Sequence, residues 1–217
     1  MTGLWRAILV LGTSGYSLQT ASAGELQLDL GVESRIFRAA PLDPRQHGSH
    51  FSATLLAEWY KDTNDGDDRV VISPYLRFDE GDAERTHADL RQLYWRHTAG
   101  AVDVYLGVRR VFWGVTEALH LVDVINQTDL VENLDGEDRL GQPMLQLAWQ
   151  QHWGQIELFV LPWFRERTFP GPEGRLRAPL PVLTDSARYE AANERRHLDW
   201  AVRYFTVLGP VEFGIAH

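Results

Sequence analysis

The residues of this sequence that could do chemistry are acids, histidines and arginines, and their spacing decides how far each goes. Asp62-Thr63-Asn64-Asp65-Gly66-Asp67-Asp68 has the acidic density of a calcium loop. Its glycine stands one position too early for the helix–loop–helix calcium pattern, and the bidentate glutamate and flanking helices are missing. An Asp-Gly hairpin turn accounts for it better. Asp135-Gly136-Glu137-Asp138 would hold a hard cation only weakly and reads first as an acidic turn. His120 and Asp123 stand three apart and would meet on a helix. No nucleophile lies at a recognisable spacing from them, and no Gly-x-Ser-x-Gly, His-Glu-x-x-His or Walker loop occurs, so a local hydrogen bond is expected and not a catalytic pair. His47, His50, His87, His97, His152 and His197 are scattered over strand ends and loops, so no metal site and no cofactor is expected. Asn126-Gln127-Thr128 matches a glycosylation sequon and carries no weight.

Composition narrows the classes further. The 217 residues hold no cysteine, which excludes disulfide scaffolds, cysteine nucleophiles and Cys-ligated metals. A net charge of −9 disfavours a nucleic-acid partner. Lys61 is the single lysine among 21 basic residues, an arginine excess that base composition explains and that also suits contacts with anions. Residues 1–23 read as a secretory signal: Arg6, then the apolar stretch from Ala7 to Leu11, then Ala21-Ser22-Ala23. The apolar run is too short to span a bilayer as a helix.

The elements that must position these groups are strands. From Gly24 the period is two: Leu26, Leu28, Leu30 and Val32 alternate with Gln27, Asp29, Gly31 and Glu33. The same alternation recurs through Phe51–Trp59, Val70–Phe78, 85–97, 101–113, Leu145–Trp153, Leu198–Tyr204 and Val211–Ile215, while 155–165 is apolar on both faces in its middle. Runs of about ten residues match strands that cross a bilayer at a tilt. Three features favour that reading over a soluble sheet. Charges recur on the inner face, which suits a wet lumen. Aromatic residues gather near strand ends (Phe37, Phe51, Trp59, Tyr60, Phe78, Tyr94, Trp95, Phe112, Trp113, Trp153, Trp163, Phe164) as an interfacial girdle. The connections alternate, long at 38–50, 114–143 and 168–195, and short at 62–68, 98–100, Gly154 and Gly209-Pro210, with 81–83 the exception. With the first strand running outward, short turns fall on the periplasmic side and long loops outside. The fold class expected is all-β: an antiparallel up-and-down transmembrane β-barrel over residues 24–217, with a short helical loop insertion.

This pattern resembles the porin-like outer-membrane β-barrels of Gram-negative bacteria. The likeness is sharpest at Gly107-Val108-Arg109-Arg110-Val111-Phe112-Trp113-Gly114, a strand ending in a basic pair and Trp-Gly before a long loop. The resemblance implies that the loop following the fifth predicted strand, 114–143, folds into the lumen as a constriction; an outer capping loop is the other reading. Within it, 116–126 reads as a short helix capped by Thr116, and a second turn begins at Asp129 with Glu132 as its capping-box partner. The constriction candidates are His120, Asp123, Asp129, Glu132, Asp135, Glu137 and Asp138. Such a loop would pack one side on the wall and turn its carboxylates to water, facing Arg91, Arg109 and Arg203 on the wall across a transverse field.

The count is nine strands, an odd number, and the sequence closes Phe213-Gly214-Ile215-Ala216-His217 without the usual terminal aromatic residue. The expectation is the N-terminal part of a longer barrel, unable to insert alone as a stable pore. The function expected is an outer-membrane channel for diffusion of small hydrophilic solutes, not an enzyme, with membrane lipid and small solutes as partners and a homo-oligomer possible. A barrel hydrolase and a structural or adhesive barrel are the alternatives.

Overall fold

The computed structural model describes residues 9–20, 24–113, 123–133 and 135–217, the first of these segments by its backbone alone. It is a single antiparallel sheet of ten strands, each paired with its neighbours in sequence. They are β1 Leu9–Thr20, β2 Gly24–Ile36, β3 Ser49–Thr63, β4 Asp68–Asp79, β5 His87–Ala99, β6 Val102–Arg109, β7 Gln142–Gln151, β8 Gly154–Leu161, β9 Asp199–Leu208 and β10 Val211–Ala216. Nine strands therefore lie among the described residues of 24–217, as the alternation predicts. β1 precedes them and pairs with β2 from within the segment expected to be a leader. The sheet runs up and down from β1 to β10 without pairing its two edges, so it is not closed into a barrel.

The connections alternate in length along the sheet. One end carries the tight turns: the 3-10 turn Asn64–Gly66, Gly100 at φ +61°, the turn before Gly154 and Gly209 at φ +62°. The other end carries segments 37–48, 110–141 and 162–198 together with the shorter 80–86. The long segments tie to one another there. Gln46 Nε2 donates to the Gly174 carbonyl at 2.8 Å, Arg177 pairs with Asp43 at 3.3 Å, and the Gly171 N–H donates to Asp82 at 3.0 Å.

One irregularity shapes the site. Pro74 lies inside β4 and has no N–H for the ladder, which confines proline to edges and bulges. The β4–β5 register shifts there: Ser73 faces Gln92 while Pro74 faces Leu90. Arg91 is the extra residue of the bulge.

Burial divides the sheet in an unusual way. Among the described residues, nine apolar side chains are buried against eighteen polar or charged ones. The face built from Leu30, Val32, Leu76, Phe78, Leu106, Leu145, Leu158, Val160 and Trp200 is exposed. Cross-strand register keeps that face continuous, as in the row Trp95, Leu106, Leu145, Val160, Trp200. The opposite face carries Glu33, Ser52, Tyr75, Arg77, Asp79, Gln146, Glu157 and Arg203, and the loop after β6 packs onto it. Where that loop meets β7 and β8 the polar face becomes apolar: Trp113, Ile125, Met144, Phe159 and Leu161 form one buried cluster. That contact explains why 155–165 is apolar on both faces. It also takes Trp113 out of the expected girdle, while Phe51, Phe78, Trp95, Trp153 and Trp163 stay exposed.

Two local expectations give way. β6 ends at Arg109 and not at Trp113. Asn126 replaces the next ladder partner: its Oδ1 accepts from the Val111 N–H at 2.8 Å, and its Nδ2 donates to the carbonyls of Arg109 (2.7 Å) and Leu140 (2.8 Å). Of the helix expected over 116–126, residues 116–122 lie outside the described residues, and 123–126 are not helical. The segment from Asp129 to Glu132 forms a turn and not a capped helix, because Asp129 is drawn into a bridge with Thr168.

Candidate functional site: a charged network between loop and wall

The loop after β6 meets the polar face through a network of buried ion pairs. Asp129 is fully buried. Its carboxylate accepts from Arg91 Nη1 at 2.6 Å and from Thr168 Oγ1 at 2.5 Å, and its N–H donates to the Asp138 carbonyl at 2.8 Å. Arg91 reaches it because the Pro74 bulge projects this extra residue toward the loop. The Arg91 guanidinium also lies 4.5 Å from the Tyr75 ring centroid, 3.3 Å from Asp89 and 3.9 Å from Glu132.

Glu132 is the second anchor. It accepts from Tyr75 Oη at 2.7 Å and pairs with Arg77 Nη2 at 2.6 Å, and His87 Nε2 lies 3.3 Å away. Arg77 extends the network to Ser52 Oγ at 2.9 Å and to Glu33 at 3.5 Å. Arg85 holds the turn itself, donating to the carbonyls of Val131 (2.9 Å) and Glu132 (3.1 Å) while pairing with Asp79 at 2.7 Å. Burial away from water lowers the Arg85 pKa, Arg77 nearby adds to that, and Asp79 opposes it. Arg165, from the long segment after β8, pairs with Asp89 and donates to the Gly141 carbonyl at 3.0 Å. Arg35 pairs with Glu33. Among the described residues, Arg35, Arg77, Arg85, Arg91 and Arg165 pair in this network with Glu33, Asp79, Asp89, Asp129 and Glu132.

The expected acidic loop is therefore in contact with the polar face, but its central carboxylates point into the wall and not to water. Asp123 is buried and accepts from the Trp113 N–H. Asp135 is on the water side, capping the Glu137 N–H at 3.1 Å. Asp138 accepts from Asn133 Nδ2 at 2.8 Å. Glu137 belongs to the same turn, and His120 lies outside the described residues. Among the described residues, Arg91 is the wall arginine seen paired with the loop's acids. Arg109 lies over Tyr105 and Tyr94, with Cζ 3.7 and 4.9 Å from the ring centroids, and donates to Gln146. Arg203 pairs with Glu157 on the wall at 3.2 Å and donates to the Trp113 carbonyl at 3.1 Å.

Sequence reasoning missed Tyr75, Arg77, Arg85 and His87 as site residues. The alternation already placed Tyr75 and Arg77 on the polar face; nothing local in the sequence said that the loop would land on them. His87, Asp129 and Glu132 offer ligand atoms within 4.8 Å of one another, a grouping that the scattered histidines did not suggest. Arg77 and Arg91 already occupy the two carboxylates, so the set is better suited to binding guanidinium than a dication. At the loop end, burial raises the Asp82 pKa, against the pull of the Gly171 and Glu84 N–H bonds. Asp43 is held well below the usual carboxylate range by hydrogen bonds from Arg45. Comparison of the chain with protein-family models, with curated proteins and with solved structures gives no match.

Proposed function

We propose that this chain forms the wall of a porin-like barrel in the outer membrane of a Gram-negative cell, reached after cleavage of the leader 1–23. The single observation that carries the reading is the inverted burial of the sheet, with apolar side chains outward and charged ones covered. In water, exposed apolar patches of this extent mark an interaction surface. A lipid bilayer is the surface that covers a whole sheet face continuously, across strands of 10 to 15 residues such as β7 and β3. Cleavage removes β1 with the leader, and the free edges of β2 and β10 then require further strands, from this polypeptide or from a second copy, because unpaired backbone groups are costly in lipid.

In this reading the polar face lines a water-filled lumen and the loop after β6 narrows it. Small hydrophilic solutes pass by diffusion between loop and wall, and their selection is electrostatic. The chain binds no cofactor and turns over no substrate.

The test is single-channel recording of the full-length product in planar bilayers. Discrete conductance steps whose ion preference moves toward anions on Asp129→Asn with Glu132→Gln are expected, since Arg91 and Arg77 lose their partners. A folded, heat-modifiable protein that gives no steps would overturn the channel reading.

A further inference from the structure

We propose that segment 165–177, in the long connection between β8 and β9, is a strap that couples the outer mouth to the loop after β6. Releasing it from segments 37–48 and 80–86 then also frees the constriction. The effect on flow rests on the channel reading above; the coupling of the two contacts does not.

The connection adds no strand to the sheet, so side chains and single backbone bonds hold it. One end of the strap is fixed to the loop after β6. Thr168 forms an isolated bridge with Asp129 and donates to its carboxylate at 2.5 Å, and Arg165 donates to the Gly141 carbonyl at 3.0 Å. The other end is fixed to the outer segments. The Gly171 N–H donates to Asp82 at 3.0 Å, and the Gly174 carbonyl accepts from Gln46 at 2.8 Å. Arg175 donates to the Ala39 carbonyl at 2.7 Å and lies over the Phe37 ring, and Arg177 pairs with Asp43 at 3.3 Å. Strap and loop also share a small cavity, lined by Pro170, Gly174 and Arg175 together with Leu130, Val131 and Glu132.

The strap is built to move as one piece. Thr168 and Gly171 are three residues apart, at most about 10 Å of chain, so the contact with Asp129 and the contact with Asp82 cannot separate far. Pro170 between them fixes its own φ and restricts Phe169. Arg177 donates to the carbonyls of Pro172 (3.0 Å), Ala178 (2.9 Å) and Pro179 (2.8 Å), which closes the far end on itself. The seat is equally defined. Asp82 is buried, and a Cβ on Gly171 would lie 2.6 Å from its Oδ1, so a side chain there would push the strap away. A stiff segment held at both ends is a contiguous path by which each end biases the other.

The chain has no cysteine, so Val131→Cys, buried in the turn of the loop, reports undocking by its rate of maleimide labelling in the detergent-folded full-length protein. Gln46→Ala with Asp43→Asn cuts the outer end of the strap and is expected to raise that rate at least about tenfold, the worth of one buried hydrogen bond. Asp43→Asn alone is the milder cut, expected to act in the same direction, and serves if the double variant fails to fold. Ala148→Cys, buried in β7, is expected to label at an unchanged rate. Thr168→Val cuts the inner end, and is expected to accelerate labelling in the wild-type background and to add little once the outer end is cut. An unchanged rate at 131 in the outer variants, equal acceleration at 131 and 148, or additive effects of the two cuts would overturn the proposal. Planar bilayers separate the two ideas, where the outer cut is expected to raise the open fraction. Coupled labelling without conductance in any protein removes the pore and keeps the strap; conductance with labelling at 131 unmoved by the outer cut keeps the pore and removes the strap.

Discussion

Asp129 is the point at which the loop after β6 is held most completely, and its removal can be worked through. The carboxylate is fully buried and takes both Arg91, at 2.6 Å, and Thr168, at 2.5 Å. Orphaning one partner of a buried ion pair costs about 3–5 kcal/mol. Arg91 would not be orphaned fully in Asp129→Asn, because Asp89 stays at 3.3 Å and Glu132 at 3.9 Å. A loss of about 2 kcal/mol is therefore expected, below that scale because the retained neighbours still compensate Arg91 in part. If it falls on the docked state of the loop, the undocked population rises roughly 30-fold. The assay is limited proteolysis of the folded protein, following cleavage between residues 123 and 141 in wild type, Asp129→Asn, Arg91→Gln and the double variant. The two sites touch, so the cycle should show a coupling of about 1–3 kcal/mol. Equal cleavage rates in all four proteins, or strictly additive effects, would refute the idea that this pair docks the loop.

Other perturbations test other parts of the account. Leu145→Arg places a charge on the exposed face at mid-strand and is expected to destabilise the bilayer-folded protein by about 2–4 kcal/mol, measured by urea titration in lipid vesicles; a neutral effect would argue against lipid contact. Gly107 has φ +134°, and a Cβ there would lie 2.1 Å from the Leu93 carbonyl oxygen, so Gly107→Ala should cost at least about 1–3 kcal/mol in the same titration. Asn126→Ala leaves the Val111 N–H and two carbonyls unpaired, and a loss of about 3 kcal/mol is expected. Asp82 tests the sign of a titration: its folded pKa is raised by burial, so the folded state binds the proton more tightly than the unfolded state. Wild type should therefore gain stability relative to Asp82→Asn as pH falls from about 7 toward 4, and a gap that moves the other way would contradict the burial argument.

The strands and the alternation of connection lengths were legible because both are local. A period of two in Leu26–Val32 needs no knowledge of partners, and turns such as Asn64–Gly66 carry their own residue signature. The apolar outward face was legible for the same reason, although only the cross-strand register joins Leu106, Leu145 and Val160 into one surface. What the sequence did not disclose was long-range. The landing point of the loop depends on the Pro74 bulge, which turns Arg91 toward Asp129 from another strand. Glu132 read as a helix-capping residue because its true partners, Tyr75 and Arg77, lie more than fifty positions away. Asn126 read as part of a sequon, yet it completes the ladder beyond Arg109. Arg109 and Arg203 were recognised as wall cations by type and alternation, whereas the partners they took, two tyrosine rings and Glu157, depend on which strands become neighbours.

The central claim is that the apolar face meets lipid and the charged face meets water. The chain has no cysteine, so single cysteines can be introduced and spin-labelled without background. Labels walked through Gln27, Leu28, Asp29, Leu30 and Val32 of β2 in the membrane-reconstituted protein can be tested for collision with oxygen, which concentrates in lipid, and with a polar nickel chelate, which stays in water. The account predicts a period of two with opposite phases: labels at 28, 30 and 32 collide with oxygen, and those at 27 and 29 with the chelate. Chelate access as strong at 30 and 32 as at 27 and 29 would contradict it.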